Sequence, residues 1–127
     1  MSTDTQKNMQ ILRRWLKIVM TDDVEKMKKE WKEISTDNYW LHDPSTPNLP
    51  PGREKYLETF EQDMKNSAKR RIDIKDMFGV EDKVVTLVYY EFLEVKSREK
   101  KKVMAIGISR FEKGKIAEEW QVLAPFS

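Results

Sequence analysis

The chain has 127 residues, the size of one ordinary domain, and Lys and Arg number 24 against 22 Asp and Glu. A formal charge of +2 supplies no basic surface of the kind that nucleic acid or an anionic membrane requires. Cysteine is absent, which excludes disulfides, thiolate catalysis and cysteine-ligated zinc, and no stretch approaches the ~20 apolar residues of a membrane span.

Charged residues make up 36% of the chain, so its apolar residues must be concentrated on particular faces. The lysines between Lys96 and Lys102 read as a solvated hairpin edge rather than a binding stripe. Met1 to Asn8 is polar and has no signal-peptide core, and the expected location is the cytoplasm.

Met9, Leu12, Leu16 and Val19, widened by Ile11, Trp15 and Ile18, recur at helical spacing and predict a helix over Gln6 to Met20. Asp22 followed by Glu25 reads as a helix start, and Val24, Met27, Trp31 and Ile34 continue a second helix over Asp23 to Ile34. Ser35 to Asn38 ends it. A short apolar run, Tyr39 to Leu41, then meets His42, Asp43 and Pro44. Pro44, Pro47, Pro50 and Pro51 make the next segment a loop of fixed shape, because proline locks φ and restricts the residue before it. A third helix over Arg53 to Ser67 carries Tyr56, Leu57, Phe60 and Met64 on one face.

The second half has strand character. Ile72, Ile74 and Met77-Phe78 precede a turn around Gly79 to Asp82; Val84 to Val95 and Val103 to Phe111 follow. Glu112 to Lys115 is a tight hairpin turn, and Ile116 to Leu123 closes the set. Segregated helices and consecutive antiparallel strands predict a single α+β domain over residues 1–127: a cone-shaped, curved, mostly antiparallel sheet wrapped by three N-terminal helices. Alternation divides the strands into two faces. Val84, Thr86, Val88, Tyr90 and Phe92 oppose Val85, Leu87, Tyr89 and Leu93; Ala105 and Gly107 oppose Met104, Ile106 and Ile108. Both faces are apolar and three helices cover only one, so a homodimer through the convex face is expected.

Asp43-Pro44, a loop, Gly52-x-Glu54, a helix, then Phe78-Gly79-x-Glu81-Asp82-x-Val84-Val85 follow one another in an order that resembles SnoaL-like proteins. The ending Phe111-Glu112-Lys113-Gly114-Lys115-Ile116-x-Glu118-x-Trp120 is similar to them as well. The resemblance runs from the first helix to Trp120 and implies the nuclear-transport-factor-2-like superfamily. That superfamily includes ketosteroid isomerases, polyketide cyclases, dehydratases and non-catalytic binding or dimerisation domains. It implies a role for Asp43 as the carboxylate that moves a proton beside a ketone. The sequence also departs from the family. Trp15 stands where ketosteroid isomerases carry an oxyanion-holding tyrosine, Gly107 stands where they carry an acid, and Ala124 stands where cyclases carry an acid/base Asp.

Two functions follow. In the first, Asp43 is a base, assisted by His42 or Glu118, in an isomerisation, cyclisation or dehydration of a small apolar carbonyl or cyclic compound. No metal, nucleotide or flavin is needed. His42, the only histidine, is a proton shuttle or ligand donor that regular alternation sends to the face opposite Asp43. Trp15, Trp40, Tyr89, Tyr90 and Trp120 are candidate walls, and Ala105, Gly107 and Ser109 leave room for a ligand. In the second, the same fold is a non-catalytic ligand-binding or dimerisation domain.

Overall fold

Helix α1 spans Thr3–Val19 in a computed structural model that describes residues 3 to 125, leaving the four terminal residues of the expected 1–127 domain outside the described residues. Its helical stripe buries Leu12, Trp15, Ile18 and Val19. Helix α2 spans Val24–Ile34 and buries Met27 and Trp31. Its cap is Asp23 rather than Asp22: the Asp23 Oδ1 accepts from Lys26 N at 3.0 Å, the usual bond from the third helical amide. Arg14 and Glu30 join the two helices at 3.1 Å.

Strand β1, Ser35–His42, starts directly after α2 and four residues earlier than the apolar run at Tyr39. The reason lies in α3, Arg53–Lys65. Its Arg53 Nη1 donates to the carbonyls of Lys32 and Ser35, and its Nη2 lies 2.8 Å from Asp37. That fork turns the chain from helix into strand. Gly52, at φ 123°, takes a conformation that L side chains rarely adopt, and its amide donates to Tyr39 O at 2.8 Å.

Strands β2 (Ser67–Val80), β3 (Lys83–Glu94), β4 (Lys100–Glu112) and β5 (Lys115–Pro125) complete a five-stranded mixed sheet of order β1-β5-β4-β3-β2. All pairs are antiparallel except β1 with β5. The sheet does not close. β2 begins five residues before the alternating apolar positions from Ile72, because its start is bulged: Lys69 takes φ 52° and the register shifts between Ala68 and Arg71. Helices cover one face, and the core lies between them and the sheet, with Trp31, Tyr39, Val84, Phe111 and Ile116 fully enclosed. No helix is long and apolar enough to cross a membrane among the described residues.

The bulge in β2 turns Arg70 inward. Its guanidinium donates to the carbonyls of Val19 and Thr21 at the end of α1, and to those of Met64 and Ser67 at the end of α3. Helix ends leave carbonyls without intrahelical partners, and here one buried side chain satisfies two such ends. At the other end of α1, a Cβ on Gly79 would lie 2.3 Å from the Thr5 methyl, so glycine lets the helix sit directly on the β2–β3 hairpin. Replacing Arg70 by methionine keeps much of the volume and leaves buried carbonyls unpaired. A loss of about 3 kcal/mol is expected, read as a lower urea midpoint at unchanged slope.

Candidate functional site

Strand β5 fixes which side chains share a face. Its register against β4 shifts between Arg110 and Phe111: Phe111 pairs with Ile116 but Arg110 pairs with Glu118. The extra residue, Ala117, is a bulge that keeps Ile116 buried while turning Glu118 outward and Glu119 inward. Trp120 and Val122 then follow Glu118 on the outer face, and Gln121 and Leu123 follow Glu119 on the inner one. Across the parallel pair, Trp40 lies beside Glu118 and His42 beside Trp120.

The inner face bounds a cavity of two compartments that share Leu16, Tyr56, Val88, Ala105 and Gln121 as walls. The larger, about 300 Å³, reaches Asp43, Ser45, Thr59, Asp63 and Tyr90. The smaller, about 140 Å³, is lined by Leu12, Trp15, Thr86, Gly107, Ser109 and Glu119. Asp43 is 9% exposed and accepts three hydrogen bonds. Its Oδ2 accepts from Gln121 Nε2 at 2.7 Å, and its Oδ1 from the amide and the hydroxyl of Ser45, each at 2.8 Å. The Ser45 pair is an Asx-type turn leading into the proline loop. Thr46 Oγ1, in the same loop, is buried and has no hydrogen-bond partner among the described residues.

Burial shapes the titration of the inner groups. It raises Asp63, and the neighbouring negative charge of Asp43 adds to the effect. It also raises Glu119, against the opposing pull of hydrogen bonds from Ser109 and Tyr39. Tyr39 and Tyr56 are pushed up, first by burial and then by Glu119, and burial pushes Tyr90 to about 12.

The outer face carries a trough of about 490 Å³, with Trp40, His42, Ile106, Ile108, Trp120 and Val122 along it and the proline loop at its edge, where Asp43, Thr46, Leu49 and Gln121 border it as they do the larger inner compartment. His42 Nε2 lies 2.6 Å from Glu118 Oε2, and Arg110 holds the other oxygen of Glu118 at 3.3 Å. The His42 ring stacks on Trp120 with centroids 5.3 Å apart and lies 4.4 Å from Trp40. Tyr89 is on this face too, with Lys75 Nζ 5.0 Å from its ring centre.

The residues singled out from the sequence therefore fall into two groups. Asp43, Trp15, Tyr90 and Gly107 line the inner cavity, and Asp43 borders the outer trough as well. His42, Glu118, Trp40 and Trp120 meet one another outside, and Tyr89 lies farther along the outer surface. His42 and Glu118 pair together, while the carboxylate of Asp43 bonds Gln121 on the other side of the sheet. Sequence reading missed Gln121, Glu119 and Asp63. Alternation outward from Trp120 was the available signal for the first two, and helical spacing from Phe60 for the third. Among the described residues no group of three or more His, Cys, Asp or Glu side chains is placed to hold a metal ion.

A carboxyl raised on folding favours the folded state while it is neutral. For Glu119 that contribution is complete below its ordinary value of 4.5 and is lost as pH rises through its folded value. Stability relative to Glu119→Gln should therefore fall above pH 4.5, with a slope of up to about 1.4 kcal/mol per pH unit. Urea unfolding of both proteins from pH 4 upward checks this; a constant difference between them would show that Glu119 is not buried as described.

The stretch from residue 12 to residue 119 matches the family described as the SnoaL-like domain. No curated protein matches the sequence. Among solved structures, a candidate SnoaL-like polyketide cyclase from Jannaschia sp. CCS1 superimposes with a TM-score of 0.86 at 12% identity, over 97% of this chain and 89% of that one. A candidate polyketide cyclase from Acidithiobacillus ferrooxidans gives 0.80 at 17% identity, over 97% and 91%. SalBIII, an epoxide hydrolase/cyclase-like enzyme of pyran ring formation in salinomycin, gives 0.76 at 20% identity, over 94% and 92%. Likenesses at these identities show a common fold. With the family match running from the middle of α1 to the inward-facing glutamate of β5, the chain belongs to the SnoaL-like domain family.

Proposed function

We propose that the chain binds a small, largely apolar carbonyl or cyclic compound in the inner cavity and moves a proton on it, in an isomerisation, cyclisation or dehydration. The observation that carries this is Asp43. Its carboxylate lies at a cavity otherwise walled mainly by apolar side chains, with Gln121 and Ser45 fixing both oxygens. Asp63, itself exposed on α3, lines the same compartment, and partial burial and the charge of Asp43 raise its proton affinity above that of an ordinary aspartate. A second carboxyl in the compartment gives it a second group for acid–base work. In the simplest step Asp43 takes a proton from carbon beside a carbonyl and returns it at another atom. The compound is rearranged and no further reactant is consumed. SalBIII and the candidate cyclases share the fold and are compatible with this class of chemistry. His42 and Glu118 pair with each other at the outer trough, which Asp43 also borders, and the step above does not need them.

The test uses 2-tetralone, a bicyclic ketone with acidic α-protons, exchanged into D₂O and followed by NMR. The protein should accelerate exchange, and Asp43→Asn should lower that acceleration by about a hundredfold or more. Undiminished exchange in the variant refutes Asp43 as base.

We further propose that the outer face pairs with a second copy of the chain, which is also what a non-catalytic dimerisation domain would use. Ile106 is 48% exposed and Val122 59%, beside Ile108 and Trp120 in one patch. At roughly 25 cal/mol per Å², burying several hundred Å² of such surface outweighs a few exposed ion pairs. Light scattering at micromolar concentration should give a dimer mass, and Ile106→Lys should give a monomer. A monomer mass for the unchanged protein, with Ile106→Lys equally soluble, rules the pairing out.

A further inference from the structure

The smaller inner compartment holds a carboxyl for which the proton-transfer reading has no use. Glu119 stands two residues before Gln121 on the inner face of β5. Its oxygens are engaged from behind. The Tyr39 hydroxyl donates to one at 2.6 Å, and the Ser109 hydroxyl bonds the other. Tyr39 is 0% exposed and Ser109 4%, so both anchors are fixed in the packed interior. With both hydroxyls donating, a neutral carboxyl has its own proton left to give to the compartment, and burial favours that neutral form. Beside it, Ala105 and Gly107 leave space that larger side chains would fill. The two compartments are lined by three carboxyls, Asp43, Asp63 and Glu119, and by no Lys, Arg or His among the described residues.

We propose that Glu119 is the specificity-determining residue of this cavity, selecting a small molecule whose leading end is an uncharged oxygen acceptor such as a ketone, and rejecting one that leads with a carboxylate or phosphate. An uncharged carbonyl oxygen accepts the carboxyl's proton and loses only its hydration. An anion entering the same space leaves water, finds no cation and faces Asp43 and Asp63, and an unpaired buried charge is among the costliest arrangements in a protein. Gln121 lies between Glu119 and Asp43 along the cavity wall, so a molecule anchored by its oxygen at Glu119 presents its trailing part to Asp43. The proposal rests on the inner cavity being the ligand site, and does not depend on Asp43 acting as a base.

Calorimetric titration of the full chain with 2-tetralone, tetralin and 2-naphthoate tests it, since the first two differ only in the oxygen. Tetralone should bind roughly tenfold more tightly than tetralin, the worth of one hydrogen bond from a buried donor, and naphthoate more weakly than either. Glu119→Leu should bring tetralone and tetralin to equal affinity, and Glu119→Gln, which keeps a donor, should retain most of the preference. In the unchanged protein the preference should decline as pH rises above the usual carboxylate range, while in Glu119→Gln it should stay flat; a glutamate with a purely structural role would produce neither trend. Circular dichroism monitors folding, and if Glu119→Leu fails to fold, Glu119→Gln and the pH series carry the test. Ala105→Phe, which narrows both compartments, should abolish binding. If binding persists in Ala105→Phe, or none of the three probes binds, the ligand reading of the inner cavity and the role of Glu119 fall together. If Ala105→Phe blocks binding but tetralone is not preferred, or its preference survives Glu119→Leu or is independent of pH, only the role of Glu119 is overturned.

Discussion

The parallel pairing of β1 with β5 assembles both faces of the sheet at once. Antiparallel neighbours build most of the sheet from local hairpins, but β1 and β5 meet from opposite ends of the chain, with Leu41 beside Glu119 and His42 beside Trp120. Such a non-local pair needs its own fastening, because loop closure over this length costs entropy before any contact is made. The fastening is on the helical side. Tyr39 is wedged between Trp31 and Tyr56, with ring centres 4.9 and 4.8 Å away, and Arg53 and Gly52 bond the strand's carbonyls from the start of α3. Edge-to-face aromatic contacts of this kind add to the burial of the rings themselves.

Within that frame the cavity exists because the inner face of β4 is underfilled. Ser109 and Phe111 at one end of the strand are buried, whereas Gly107 and Ala105 bring no bulk to the middle. Close-packed interiors rarely leave such a space, since every unmet wall atom forfeits dispersion contacts. A carboxyl facing that space adds a second cost, which the hydroxyls of Tyr39 and Ser109 offset. A void and a half-buried acid at one place are two features that packing alone does not favour.

Much of this was legible in the sequence. Three- and four-residue spacing marks α1 through Trp15 and α2 through Trp31, and both stripes are buried. Alternation separates Ile106 from Gly107 and His42 from Asp43, and the strands keep those faces. What escaped are places where the backbone breaks its own period. The bulge at Ala117 shifts the phase of β5, so Ile116 and Glu119 share a face although their spacing in an unbroken strand would separate them. The bulge before Arg71 hides the start of β2 inside a basic run, Lys69-Arg70-Arg71, that carries no alternating apolar signal and holds the buried Arg70. Alternation from Trp120 places Glu118 and Glu119 on opposite faces, but which of the two faces Arg110 and which bonds Tyr39 is set by the partner strands.

The inner site is accordingly as rigid as one strand pair. The bond from Gln121 to Asp43, 2.7 Å, and the bond from Tyr39 to Glu119, 2.6 Å, join β5 to β1 and to the residue that follows it. Hydrogen bonds weaken steeply with distance and angle, so a small slide of β1 along β5 would loosen both carboxyls together. On the other side of the same backbone, His42 bonds Glu118 and stacks on Trp120, again from β1 to β5. As a partly exposed polar contact it is worth little in stability. Its effect is on register: any slide that disturbs the inner carboxyls must also unstack His42 and part it from Glu118. The outer cluster thus constrains the inner one without touching it, through a strand whose alternate residues belong to different faces.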